Sequence, residues 1–218
     1  MRSQQSGFTL VEIAIVLVII GLLLGGILKG QELINSAKVK NLANDFRVIP
    51  TYIYAYQDKF KALPGDDPAA QTHLPTGVAA DNGNGNGVID GFWNSTTATD
   101  ESFRFWREVR LANLAAGPTD VADPEYVPKN AVAGIIGVSS MQTAPTNQVH
   151  ITGMTGTYQV CSKGILGKFV KQLDIQMDDG NTATGSMRAV ADSAGIGSAA
   201  VATAAIDEAA PYTVCMSF

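Results

Sequence analysis

The chain has 218 residues, 46% of them apolar and 16% charged, and a formal net charge of −5 at pH 7. That length favours one domain with an appended segment and is enough to bury a core. An acidic chain without a Lys/Arg cluster is not built to neutralise nucleic-acid phosphates, and Cys161 and Cys215 lie too far in sequence from His73 and His150 to suggest a zinc site.

Residues 1–6 read MRSQQS, polar with one positive charge at Arg2, and Gly7 follows. Residues 8–28 read FTLVEIAIVLVIIGLLLGGIL, in which Glu12 is the one charge. As a helix rising about 1.5 Å per residue, this run spans roughly 30 Å, the thickness of a bilayer core. A secretory signal would end in a small-x-small cleavage site. Here the run ends in Gly25-Gly26-Ile27-Leu28-Lys29, a poor match. A plain membrane anchor accounts for the apolar run but not for Glu12, because a carboxylate at the bilayer is costly and tends to be functional and paired.

The string Gly7-Phe8-Thr9-Leu10-Val11-Glu12, followed by the apolar run, resembles the type IV prepilin signature, which type II secretion pseudopilins share. The resemblance implies that prepilin peptidase cuts the Gly7–Phe8 bond on the cytoplasmic side and methylates the new Phe8 amine. Residues 1–7 are then a leader that is removed, and residues 8–29 stay as a transmembrane and filament-core helix. The implied location is the bacterial inner membrane, as a single-pass precursor with its head in the periplasm, and afterwards a periplasmic or extracellular filament. Within the filament Glu12 would neutralise the Phe8 ammonium of a neighbouring subunit, since a buried charge left unpaired is costly. The competing reading is a Glu12 that snorkels to the headgroups from near the helix start.

Three function classes follow. The first is a structural subunit of a type IV pilus, major or minor. The second is a pseudopilin of a type II secretion system. The third is a membrane-tethered binding protein that never polymerises, against which Glu12 argues. The partners implied are prepilin peptidase, an inner-membrane assembly platform, a cytoplasmic assembly motor, and copies of the chain or sister pilins. A small-molecule substrate and direct nucleic-acid binding are not implied.

Residues 30–60 continue as an amphipathic helix: Leu42, Phe46, Ile49, Ile53, Tyr56 and Phe60 recur at helical spacing, opposite Lys40, Asn41, Asp45, Arg47 and Gln57. Gly21, Gly25, Gly26 and Gly30 weaken helix propensity, by up to ~1 kcal/mol each. The Gly25-Gly26 pair is either a point of local melting or a place for close helix packing. Pro50 is expected to kink the rod. Tyr52, Tyr54 and Tyr56 alternate, so they cannot all face the core. Leu63-Pro64-Gly65-Asp66-Asp67-Pro68 ends the rod.

Residues 61–218 read as a globular, strand-rich head. The spacing predicts helices over residues 100–114, which Asp100 and Glu101 favour at the N-terminus, and over 168–177. Strands are expected at 149–152, 157–161, 187–190 and 212–216, and residues 119–147 read as loop with short strands. The sum is an α+β fold, a long N-terminal helix packed on a C-terminal head. Leu63-Pro64-Gly65-Asp66, Asn84-Gly85-Asn86-Gly87, Glu101-Ser102 with Trp106, and Leu173-Asp174 with Asp178-Asp179-Gly180 are similar, in that order, to motifs of large bacterial prepilin-like proteins.

If the head is exported, Cys161 and Cys215 most simply form one disulfide; otherwise they are two buried thiols. The pilin resemblance implies the former, closing a C-terminal loop, worth about 3–5 kcal/mol by chain-entropy arithmetic. Asn82, Asn84, Asn86, the main chain of Val88 and Asp90 imitate the first half of a calcium loop. The match fails at the twelfth position, Trp93, so the segment reads either as a weak calcium site or as an Asn-Gly turn loop. No other cofactor is suggested. No G-x-S-x-G, H-E-x-x-H or phosphate-loop motif is present, and the adjacent Asp178 and Asp179 read as a turn, so the chain is expected not to be an enzyme.

Overall fold

The computed structural model describes residue 7, residues 9–142 and residues 148–218. It divides into two compact units, Met1–Lys38 and Val39–Phe218. The long helix α1 covers Leu10–Phe60 without interruption, through all its glycines and Pro50. Its early apolar side chains, such as Leu10, Leu17 and Leu22, are exposed. Its later ones, Leu42, Phe46, Ile49, Ile53 and Tyr56, are buried. This is the face expected from the spacing, and the three tyrosines divide as anticipated: Tyr56 is buried, Tyr52 half-buried and Tyr54 exposed.

The helix stops at Phe60, ahead of the Pro-Gly pair. Lys61 turns into the left-handed region at φ 57°, and its N–H donates to the Gln57 carbonyl at 2.9 Å, closing one C-terminal carbonyl of the helix. Downstream come the one-turn helix α2 (Ala70–His73) and α3 (Glu101–Leu111). The helix α4 (Gly167–Met177) follows β1 and β2.

The strands β1 (Ile136–Ser140), β2 (Tyr158–Leu166), β3 (Met187–Ala191) and β4 (Pro211–Ser217) form one antiparallel sheet in the order β1-β2-β4-β3. Three of the expected strands are present, the second longer than expected. The segment 149–152 is not a strand: Ile151 makes a single parallel bridge to Ser198, and a turn at Gly153 (φ +81°) ends the extended chain at once. The main core lies in the unit Val39–Phe218. It joins Phe46, Ile53 and Tyr56 of α1, Phe105 and Val109 of α3, Val160 and Val214 of the sheet, and Phe169 and Leu173 of α4. Each such side chain contributes about 1.5–3 kcal/mol of burial.

Candidate functional site

The start of α1 is built by a reciprocal pair of contacts. Thr9 precedes the first helical residue, Leu10. The Thr9 N–H and hydroxyl both donate to Glu12 Oε2 at 2.8 Å, and the Glu12 N–H donates to Thr9 Oγ1 at 3.3 Å. Thr9 and Glu12 therefore form a capping box, satisfying donors that a helix N-terminus leaves open. The Thr-x-x-Glu pattern ahead of an apolar run is itself a sequence signal for this, which the reading of Glu12 as a charge partner passed over. Gly7 is exposed, and Phe8 lies outside the described residues. From the capping box onward the helix is long and apolar enough to cross a membrane.

Residues 2–28 match the prokaryotic N-terminal methylation motif. The chain carries the type IV prepilin-like signature. No curated protein matches the chain, and no solved structure matches it. The signature implies processing by prepilin peptidase and assembly into pilin polymers. Together with the apolar helix it supports anchoring in the inner membrane, and it suggests a structural, non-enzymatic protein.

Where the prepilin-type helix ends, the head ties it down with a buried polar knot. Asp67 is fully buried. Its Oδ2 accepts from the Tyr56 hydroxyl of α1 at 2.9 Å and pairs with His73 Nδ1 at 2.7 Å, while its Oδ1 accepts from the Ala69 N–H at 2.8 Å. His73 stacks on Phe60, with ring centroids 5.3 Å apart. Glu108 of α3 is fully buried, and its Oε2 accepts from the Gly65 N–H at 2.8 Å. Burial pushes the Glu108 carboxyl well above the usual range; the Gly65 N–H opposes this, and the nearby Asp67 charge adds to it. The Asp67–His73 pair borders a cavity of about 530 Å³. With three donors on one carboxylate, Asp67 acts as a fastener between α1, α2 and the turn before it. None of these residues carries a sequence pattern beyond the Pro-Gly-Asp-Asp string, because their partners come from distant segments.

The Asn-Gly loop is arranged around carboxylates. The N–H groups of Gly85 and Asn86 donate to Asp66 Oδ1 at 2.6 and 3.0 Å, and that of Gly87 donates to Asp66 Oδ2 at 2.7 Å. The Asn84 and Asp90 N–H groups donate to the two oxygens of Glu101 at 2.9 and 3.0 Å. The side-chain oxygens of Asn82, Asn84 and Asn86 accept from the N–H groups of Gln71, Asn86 and Val88. Asn84 and Asn86 also donate through Nδ2 to Asp90 Oδ2. Every asparagine oxygen that the calcium reading needs is thus already accepting a main-chain hydrogen bond. Among the described residues no group of three or more His, Cys, Asp or Glu side chains is placed to hold a metal. The adjacent Asp178 and Asp179 build a turn: Asp178 accepts from the Met187 N–H, and Asp179 from the Asn181 N–H and the Thr184 hydroxyl.

Cys161 and Cys215 are bonded and fully buried. They stand directly opposite one another on β2 and β4, so the bond crosses the middle of the sheet as well as enclosing the chain between them. A second apolar cluster surrounds it, containing Trp93, Ile151, Met154 and Val190. His150 beside this cluster is 5% exposed and meets Trp93 edge-on, with centroids 5.5 Å apart. Among the described residues neither ring nitrogen of His150 has a hydrogen-bond partner. Burial lowers its pKa, Lys163 lowers it further, and Asp192 opposes.

The sign of the resulting pH effect follows. The unfolded chain takes up a proton at His150 near pH ~6.5, whereas the folded chain resists until lower pH. Stability is therefore lost as pH falls below about 6.5 and through the lowered folded pKa. Thermal unfolding of the full chain in detergent, from pH 8 to 5, is expected to show a weaker acid decline for His150→Phe than for the unsubstituted chain. Equal declines would refute a buried neutral His150.

Proposed function

We propose that the chain is a structural subunit of a type IV pilus or pilus-like filament. It is inserted in the bacterial inner membrane, cut at Gly7–Phe8, methylated at Phe8, and polymerised through α1. The observation that carries this reading is the prepilin-type signature seated on an uninterrupted helix whose early apolar side chains are exposed. An apolar surface of this extent needs lipid or other helices around it. In the filament, Glu12 meets the Phe8 ammonium of a neighbour, and the head, secured by the disulfide and the polar knot, is displayed outward.

Intact mass and N-terminal sequencing of the protein from its native membranes, and from filaments sheared off cells, test this proposal. The expected product begins at methylated Phe8 and is present in both fractions. A chain retaining Met1, or cut after Gly26, would overturn the proposal.

A further inference from the structure

The run Asn82-Gly83-Asn84-Gly85-Asn86-Gly87 places three Asn-Gly pairs in succession. An Asn-Gly pair is chemically labile. The glycine nitrogen loses its proton to a solvent base and attacks the asparagine Cγ, forming a C–N bond. The Cγ–Nδ2 bond breaks, and ammonia leaves after taking a proton. Water then opens the cyclic imide at either carbonyl, giving aspartate or isoaspartate. Glycine permits this because it has no side chain to hinder the approach.

Burial does not shield this run: residues 84–87 are exposed, so water and base have access. The attacking nitrogens are nevertheless all engaged. Gly83 N–H donates to the Asp67 carbonyl at 2.9 Å. Gly85 N–H donates to Asp66 Oδ1 at 2.6 Å and Gly87 N–H to Asp66 Oδ2 at 2.7 Å. The electrophilic amides are held too, since Asn84 and Asn86 each accept through Oδ1 from a main-chain N–H and donate through Nδ2 to Asp90. Attack requires the nitrogen and Cγ to reach an aligned near-attack geometry, and these bonds hold both ends away from it. The glycines are not exchangeable for safer residues. A Cβ on Gly83 would lie 2.4 Å from the Asp66 main chain, and Gly85 sits at φ +71°.

We infer that residues 82–87 are a modification site gated by the fold: Asp66 and Asp67 suppress deamidation of the three asparagines in the folded head, and opening the loop releases it. The change is self-locking. Converting Asn84 or Asn86 to a carboxylate replaces a donor to Asp90 Oδ2, now at 3.0 or 3.2 Å, by a repelling charge. Isoaspartate also adds a main-chain atom that the Asp66 clamp cannot accommodate. A subunit that opens for long enough is therefore marked and does not close again.

The test is peptide mapping by mass spectrometry, with isoaspartate detection, of the full chain in detergent at mildly alkaline pH. The native chain is compared with the same chain in urea and reductant. The folded chain is expected to deamidate about a hundredfold more slowly at all three sites, because reaction then needs a local opening. Asp66→Asn provides the site-selective arm. It weakens the hold on Gly87, whereas Gly85 keeps a second bond, to the Asp66 carbonyl at 3.2 Å, so Asn86 is expected to react fastest and Asn84 less so, while Asn82, guarded by the Asp67 carbonyl, stays slow. Native deamidation at the unfolded rate would overturn the inference. So would a folded Asp66→Asn chain with all three sites unchanged or equally fast. Should that variant unfold, amide hydrogen exchange in the unsubstituted chain decides: protected Gly85 and Gly87 amides support the clamp, and freely exchanging ones reject it.

Discussion

Glu12→Gln is expected to abolish filaments while leaving the precursor inserted, cut and methylated at Phe8. The two roles of Glu12 separate in this substitution. As the last residue of the capping box, Glu12 accepts from Thr9, and a glutamine carbonyl accepts in the same way. As the proposed partner of a neighbour's ammonium, it must carry charge, and glutamine carries none. An ammonium buried among apolar helices without a counter-charge is strongly disfavoured, so assembly should stop although each subunit remains intact. Glu12→Ala removes both roles and should also fray the start of α1. Sheared fractions compared with membrane fractions, quantified by immunoblot with the mass of the membrane form, report on assembly and processing separately. If Glu12→Gln assembles normally and Glu12→Ala does not, Glu12 is a helix cap and the charge-pairing reading fails. If both assemble normally, neither role matters to the filament.

Periodic features and dense local motifs were readable from the chain. The apolar stretch, the Leu42–Tyr56 face of α1, the helices α3 and α4 and the strands β3 and β4 all carry spacing that depends on their own residues. What escaped was set by partners elsewhere. The strand expected at 149–152 has the right composition, but Gly153 turns it away after a single bridge. The helix α1 runs on through Pro50, so the one missing donor there does not end it.

The site shows the same division. The proposed roles of Gly7, Phe8 and Glu12 were legible because the prepilin-type signature is a run of neighbouring residues. The roles of Asp66, Asp67 and Glu108 depend on main-chain donors and hydroxyls many residues away, such as Gly65 for Glu108 and Gly87 for Asp66. The asparagine loop illustrates how a pattern can be ambiguous in kind. Alternating oxygens around a turn suit a cation if they point inward. Here main-chain amides point to Asp66 and Glu101, the oxygens of Asn84 and Asn86 close turns, and that of Asn82 accepts from the Gln71 N–H.

Glu108→Ala and Glu108→Gln should have opposite consequences, and the contrast tests whether Glu108 is neutral in the folded head. The alanine variant leaves a cavity and strips the Gly65 N–H of its acceptor, a loss of about 3 kcal/mol or more, or roughly 6–12 °C in thermal midpoint. Glutamine retains the shape and an acceptor oxygen for Gly65, so near pH 5 the change should stay within about 1 kcal/mol. The pH dependence is the sharper readout. A carboxyl whose folded pKa is raised contributes stability that is complete below the unfolded value, about 4.3, and is lost as pH rises through the folded value. The unsubstituted chain must therefore either hold the proton or bury a charge beside Asp67 as the solution becomes alkaline. Glu108→Gln has no proton to lose, so its midpoint should rise relative to the unsubstituted chain as pH increases from 5 to 9. A constant difference across that range would mean that Glu108 is ionised throughout and that the Gly65 N–H suffices to hold its charge.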